Sequence, residues 1–485
     1  MRPNRLARLP RSHERGRLQP LSSWASLFHQ ALRTRGLPFR STASVQVRGS
    51  FYSLGMPRSY TVGNTHPLHD LVGTPTDSME IPSLQQGFER EHGLMTKEKP
   101  LKKDDDHQSL RIGVPREVGN EEKRVALAPS GTGALVAAGH DVYVEEGAGH
   151  EAHFQDQEYA DVGAELVKDP EDLYERSDLI VKVGPPVEDE MSLLQEGQIL
   201  LSALNLGGTT PEFLHHLMRL KITGIGFEFI RDPDGTFPLV RMMHEITGSM
   251  AIQIAGRYLE SNEGGKGVML GGISGVPPAT VVILGADVIG EWAARTALGY
   301  GAHVVVLDRE LGALRDLEHY LDRSITTAVA SEHYLRQAVH SADVVVGAMV
   351  TGGERSPLLV TEDMVQAMSP GGVIVDAVMD QGGCIETSRP TPHSEPVYRR
   401  HQIIHYCVPN MPSNAARTAS YALTHVLVPY LLRIGEAGSI NDALWQDEGL
   451  RNGTYVYRQH LTKQSLASMF GMSHRDIELL IASGI

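Results

Sequence analysis

TVVILGADVIGEWAARTALGYGAHVVVLD, residues Thr280 to Asp308, decides the architecture of this chain. Val281 to Leu284 is a short apolar run, mostly β-branched, that stops on Gly285. Apolar residues then recur at helical spacing (Ile289, Trp292, Ala293, Ala297) until Gly299 and Gly301 break the pattern. Val304 to Leu307 reads as a second buried strand, and Asp308 closes it 23 positions after Gly285. A strand–turn–helix–strand unit of about thirty residues has the size of a βαβ crossover. In such units a carboxylate ending the second strand accepts from both hydroxyls of an adenosine ribose and repels a 2′-phosphate. Asp308 therefore predicts a dinucleotide site that takes NAD in preference to NADP.

The turn itself departs from the Gly-x-Gly-x-x-Gly pattern. It reads Gly285-Ala286-Asp287-Val288-Ile289-Gly290, so the middle glycine, which lets backbone approach a pyrophosphate, is an aspartate. Strand–glycine–helix turns also occur in α/β proteins that bind no dinucleotide. The crossover size and Asp308 together carry the expectation.

At 485 residues the chain has room for two to three domains with ample core. Two cysteines, Cys384 and Cys407, offer no disulfide framework, which predicts a reducing, cytoplasmic setting. No run of eighteen apolar residues exists, so no membrane span is expected. The net charge of −15 is uneven: residues 1–55 carry ten arginines against Glu14, leaving −24 on the other 430 residues. An acidic surface of that kind repels nucleic acid and membrane phosphates.

Residues 1–108 are Arg-, Ser-, Pro- and Gly-rich and end in the charge run Lys102 to Asp106. They read as a disordered extension, either a transit peptide or upstream frame ahead of a start at Met56 or Met79. Beyond Arg111 strands and helices alternate, which implies mostly parallel, covered sheets. Strands are expected at 112–114, 141–144, 179–183, 199–204, 222–229, 343–346, 373–375 and 403–406. Helices are expected at 130–138 (capped by Ser130), 211–220, 245–260 and 420–434, with a helical tail at 463–482. The fold class is α/β in two domains, with the active site in the cleft between them.

Several residues along this path could carry chemistry. Arg124, after Glu121-Glu122-Lys123, could grip a carboxylate with its fork or belong to a solvated charge cluster. Lys182, within Val181-Lys182-Val183, is a lysine in an apolar strand, rare without a partner or a role. Asp380 in Met379-Asp380-Gln381-Gly382-Gly383 could orient an amine or a water, or simply form a turn. Asn410 could present its amide to a ligand, and His244 is either a helix-entry residue or a proton carrier. No Cys/His spacing fits a metal site.

Taken together, Gly113-Val114-Pro115-Arg116-Glu117 with Arg124-Val125-Ala126, the glycine ribbon Gly264 to Val276, Asp376 to Cys384, and Tyr406 to Pro412 resemble the alanine dehydrogenase family and its relative, the NAD-binding subunit of proton-translocating transhydrogenase. The resemblance spans roughly Leu110 to Ile481. It is nearest to a divergent, Bacteroidota-like branch that shares an extension around Gly87 to Lys103. It implies a Rossmann NAD-binding domain (238–416) inserted in a split catalytic domain (109–237 and 417–485). It also implies reversible oxidative deamination of L-alanine to pyruvate and ammonia, a homo-oligomer that is commonly a hexamer, and no membrane or nucleic-acid partner. Arg124 and Lys182 would hold the substrate carboxylate and Asp380 would face the reacting carbon. The turn from Gly285 through Ala286, Asp287, Val288 and Ile289 to Gly290 would hold the cofactor, with Asp308 on its ribose and Asn410 near its nicotinamide.

Three positions depart from the family. Asn205 stands where the family has a histidine acid/base, and an amide cannot shuttle a proton near pH 7. Asp287 replaces the middle glycine, and His244 replaces a serine. These departures leave a non-catalytic NAD-binding homologue, or a transhydrogenase-like component, as alternatives to the enzyme. Composition makes a first prediction: deleting residues 1–78 leaves the unfolding midpoint of the chain unchanged. A lowered midpoint, or failure of the truncated chain to fold, overturns it.

Overall fold

A computed structural model describes residues 109–119, 121–204, 209–350 and 355–483. The expectations about residues 1–108 and about Asn205 lie outside the described residues. Six strands come first: β1 (Arg111–Val114), β2 (Asp141–Glu145), β3 (Glu165–Val167), β4 (Leu179–Val181), β5 (Ile199–Ser202) and β6 (Thr223–Gly226). They lie parallel in the order β6-β5-β4-β1-β2-β3. The chain then crosses on the helix Pro238–Tyr258 into a second sheet. Its strands are β7 (Thr280–Leu284), β8 (His303–Asp308), β9 (Thr326–Val329), β10 (Val344–Gly347), β11 (Val373–Asp376), β12 (Val397–Arg400) and β13 (Ile403–Tyr406). The helix Ala416–Glu436 leads back, β14 (Thr454–Tyr457) adds antiparallel to β6, and β15 (His460–Leu461) pairs antiparallel to β14 at the edge.

The second sheet runs β12-β13-β11-β10-β7-β8-β9, parallel except for β12. The order of its six parallel strands is that of a Rossmann domain, reversing direction between β7 and β10. The first sheet reverses in the same way between β1 and β4. Ligands of doubly wound sheets sit outside the carboxyl ends of the strands at such a switch point. In the first sheet that point is flanked by Glu117 and Lys182, in the second by the turn Gly285–Gly290.

Strands near the middle of each sheet are fully buried, as their continuous Val/Ile/Leu runs require. Several expected bounds shift. Lys182 lies one residue beyond β4 rather than within a strand. The expected strand 222–229 is β6 followed by a 3-10 turn, Phe227–Phe229. Ser130 does not cap its helix: Pro129 is the first helical residue and Ala128 precedes it with no side-chain cap. The crossing helix begins at Pro238, so His244 is an interior residue of its second turn and not an entry residue. Edge strands β3, β9 and β12 escaped the sequence reading because their exposed positions break the apolar runs.

The crossing helix packs closely on the helix Val288–Gly299 that follows β7. Contact is direct backbone to backbone: a Cβ on Gly248 would lie 2.3 Å from the Ile289 carbonyl oxygen and 2.9 Å from the Ala293 nitrogen. Gly248→Ala is therefore expected to lower stability by about 1–3 kcal/mol through overpacking. Gly256→Ala, whose Cβ would meet only the flexible Leu270 side chain at 3.1 Å, should be neutral or stabilising by up to about 1 kcal/mol through helix propensity. Urea unfolding of both variants checks this, and equal effects would rule out the close approach.

Candidate functional site

Glu121 to Arg124 leave the first lobe as a loop that docks on the second. The Arg124 guanidinium, 8% exposed, donates from Nε and Nη2 to Glu122 at 2.7 and 2.6 Å, and again from Nη2 to Asn410 Oδ1 at 2.6 Å. Asn410, held at φ 57°, returns a bond from Nδ2 to Glu122 at 2.8 Å. Arg124 Nη1 lies 3.1 Å from Met243 Sδ, beside His244. Lys123 donates through its backbone to Ser413 and through Nζ to Asn414, while the His393 amide donates to Glu121. Two further amides of the segment, Val125 and Ala128, are received by Ser420 and Thr424 of the returning helix.

Burial alone would raise the Glu122 carboxyl, but the Arg124 guanidinium, with hydrogen bonds from Arg124 and Asn410, outweighs it and holds the pKa at about 2. Arg124 thus meets Asn410, a contact the sequence reading did not foresee, and the Nε/Nη2 edge of its fork is engaged by Glu122. The edge carrying Nη1 faces the Met243 thioether and meets no carboxylate of the described residues.

Lys182 is 1% exposed, with its ammonium 2.7 Å from Glu190 Oε1 and 3.2 Å from Glu117 Oε2. Glu117 also accepts from the Val183 amide at 2.6 Å, and Glu190 from the Val187 amide at 2.9 Å. Burial by itself would lower the lysine pKa; the two carboxylates raise it above the ordinary value, so the amine stays charged. Burial, offset by Lys182, pushes the Glu117 carboxyl upward. A recess of about 400 Å³ opens over Arg116, Glu117, Glu122, Lys123 and Arg124.

Asp380 sits in the 3-10 turn Met379–Gln381 just past β11. It is solvent-exposed, while protein packed around it raises its carboxyl pKa through desolvation. Asp376 at the end of β11 is fully buried and pushed up to about 6 by desolvation. At the glycine turn, Gly285 has φ +120°, and a Cβ there would lie 2.4 Å from the Ala348 carbonyl oxygen. A Cβ on Gly290 would lie 2.0 Å from the Gly285 oxygen. Position 287, by contrast, has φ −80°, which any residue adopts, and its side chain is exposed. The first and third glycines are thus required by the fold, while the middle one is not. Asp308 is 6% exposed and accepts from the Ala286 amide at 2.7 Å and the Glu310 amide at 2.8 Å, fastening the end of β8 to the turn. The helix after the turn has no side-chain cap, so its first-turn amides suit an anion. These features fit a dinucleotide.

Glu117, Glu122, Glu190 and His393 were not singled out from the sequence. Glu117 and Glu122 lay inside motifs already noted. Glu190 and His393 carried no local signal, since each reaches its partner from a separate stretch of chain. Both ring nitrogens of His393 are buried beside Asn410 without a well-formed hydrogen bond, and burial lowers its pKa. Among the described residues no group of three or more His, Cys, Asp or Glu could hold a metal, and no helix is long and apolar enough to cross a membrane.

Two doubly wound lobes, one inserted in the other, with a charged recess at one switch point and a glycine turn at the other, describe a Rossmann-type oxidoreductase architecture. Residues 113–247 match the model of the alanine dehydrogenase/PNT N-terminal domain and residues 251–464 that of its C-terminal domain. The chain belongs to the alanine dehydrogenase/PNT family. It is 41% identical over 370 residues to an alanine dehydrogenase of Methanococcus maripaludis, covering 76% of this chain and 99% of that protein. It is 38% identical to an alanine dehydrogenase of Bacillus subtilis, covering 76% and 96%. A solved L-alanine dehydrogenase superposes with a TM-score of 0.71 at 38% identity, over 75% of this chain and 99% of that one. A transhydrogenase from Sinorhizobium meliloti (TM-score 0.62, 23% identity, 73% and 99% covered) shares the fold.

The depressed Glu122 pKa carries a stability prediction. A carboxylate whose folded pKa lies below its unfolded value stabilises the fold above the unfolded value, and that stability is lost as pH falls through the folded one. Between about pH 4.5 and about 2 the chain should lose on the order of 3 kcal/mol through Glu122. In Glu122→Gln the loss over this window should shrink by that amount, measured by urea unfolding at pH 6, 4 and 2. An unchanged loss overturns the assignment.

Proposed function

We propose that this protein is an NAD-dependent alanine dehydrogenase that interconverts L-alanine with pyruvate and ammonia, acting as a cytoplasmic homo-oligomer. The observation that carries the reading is the meeting of Arg124, Glu122 and Asn410 across the two lobes, beside a recess floored by buried charge. The relatives named alanine dehydrogenase support it. Arg124, through its Nη1 edge, and Lys182 bind the substrate carboxylate, and Asn410 keeps Arg124 in register with the cofactor side. The turn Gly285–Gly290 holds the pyrophosphate. Asp308, already fixed by two amides, turns its remaining lone pairs to the ribose hydroxyls, which favours NAD over NADP.

A bound dinucleotide would supply the acceptor for the substrate hydride. The chain must remove a proton from the substrate ammonium before the hydride leaves, and then take a proton from the water that attacks the imine carbon and displaces ammonia. Asp380 takes the proton: its raised pKa lets it hold one nearer neutrality than an ordinary aspartate. The Lys182 ammonium, kept charged by Glu117 and Glu190, holds the carboxylate without taking part in the transfer.

The test is NADH oxidation by the purified chain with ammonium and a panel of 2-oxo acids. Pyruvate should be the best substrate, and Asp380→Asn should lower kcat by roughly 10²–10⁴ with little change in NADH binding. Asn205→His should raise turnover or move the pH optimum. Wild-type protein that binds NADH but turns over no 2-oxo acid would replace this reading with that of a non-catalytic dinucleotide-binding homologue.

A further inference from the structure

Asp376 is the last residue of β11 and is 0% exposed. No Lys, Arg or His of the described residues forms an ion pair with it. A buried carboxylate without a counter-cation is costly unless hydrogen bonds compensate it. Here the compensation comes from the loop that follows the strand. Oδ2 accepts from the Cys384 amide at 3.2 Å, and the Cys384 thiol lies 4.0 Å from Oδ1. Burial pushes the carboxyl up to about 6, while the Ser388 hydroxyl and the amides of Cys384, Val378 and Ile385 pull the other way. Backbone on two sides leaves room for the group. A Cβ on Gly347, at the end of β10, would lie 2.8 Å from Oδ1, and one on Gly383 would lie 2.7 Å from Oδ2.

The two ends of the loop 377–385 thus meet on one carboxylate. Between them the Gln381 and Gly383 amides each donate to the Val378 carbonyl at 3.0 Å, winding the turn that carries Asp380. The Ser356 amide adds a tie from outside, donating to the Gln381 carbonyl at 2.9 Å. The Asp380 carboxylate itself has no side-chain partner among the described residues; its own amide and that of Gln381 are the hydrogen bonds that act on it. Where Asp380 stands is therefore decided by the backbone of the turn. We infer that Asp376 is a positioning residue for Asp380: by holding both ends of the turn, it fixes the point at which the Asp380 carboxyl meets the reacting carbon. The inference rests on the role proposed above for Asp380.

The experiment compares Asp376→Asn, Asp380→Asn and the double variant of the full chain in steady-state kinetics with NADH, ammonium and pyruvate. Asparagine keeps the shape of Asp376 but turns an amino group toward donors that need an acceptor. Because small misplacements of a reacting group are costly, Asp376→Asn should lower kcat by roughly ten- to hundred-fold. KM for pyruvate, set by Arg124 and Lys182, and Kd for NADH should stay within about two-fold. Since Asp376 acts through Asp380, the double variant should be no slower than Asp380→Asn. Hydrogen exchange over residues 377–386, read by mass spectrometry, should be faster in Asp376→Asn and unchanged in Asp380→Asn. If Asp376→Asn does not fold, Gly347→Ala is read in its place, because its Cβ displaces the carboxylate without removing the charge. A kcat close to wild type, losses that multiply in the double variant, or unchanged exchange overturns the inference. A wild-type chain that turns over no 2-oxo acid overturns the role of Asp380 instead. Exchange in Asp376→Asn then decides by itself whether Asp376 holds the turn.

Discussion

One guanidinium, that of Arg124, is shared between a carboxylate of its own loop and an amide of the other lobe, and the geometry of the cleft depends on that sharing. The group is nearly buried, so its charge must be matched on the spot. Breaking a buried pair from one side leaves an uncompensated charge and commonly costs about 3–5 kcal/mol. Glu122 supplies the match, and Asn410 reads both partners at once by accepting from one and donating to the other. Its left-handed backbone presents the amide at that point, so the loop after β13 is held in register with the loop after β1.

The same logic governs the neighbouring lysine. One buried ammonium faces two carboxylates, and Glu117 spends its other oxygen on the turn after β4. The two buried cations beside the recess, Arg124 and Lys182, are thus each already answered by acid. A ligand carboxylate must bind on unused edges rather than on bare charges, which favours a small ligand with a cation of its own. An amino acid in its zwitterionic form meets that condition.

Much of the fold was legible because strands buried on both faces have to be continuous apolar runs, as in β7, β8, β10 and β11. Edge strands, half wet, escaped for the opposite reason. The helix Pro238–Tyr258 was read seven residues short because its first two turns lie in the cleft, where polar residues such as Arg241 and His244 interrupt the apolar stripe. The site was legible where chemistry is local. Gly285, Gly290 and Asp308 act within one crossover, and the reason for each glycine is a backbone atom 2.0–2.4 Å from an added Cβ.

By itself, the sequence determined the α/β class, the dinucleotide crossover and most of the residues around which the site is built, since strand burial, turn conformation and ribose recognition are short-range demands on residue type. Tertiary structure alone decided how those residues are charged and to whom they are bound. That Arg124 answers to Asn410 as well as to Glu122, and that Lys182 is clamped by Glu117 as well as by Glu190, depends on contacts between segments folded together from separate parts of the chain. Electrostatic energy depends on distance and burial in space, and neither is written in the spacing of residues along a sequence.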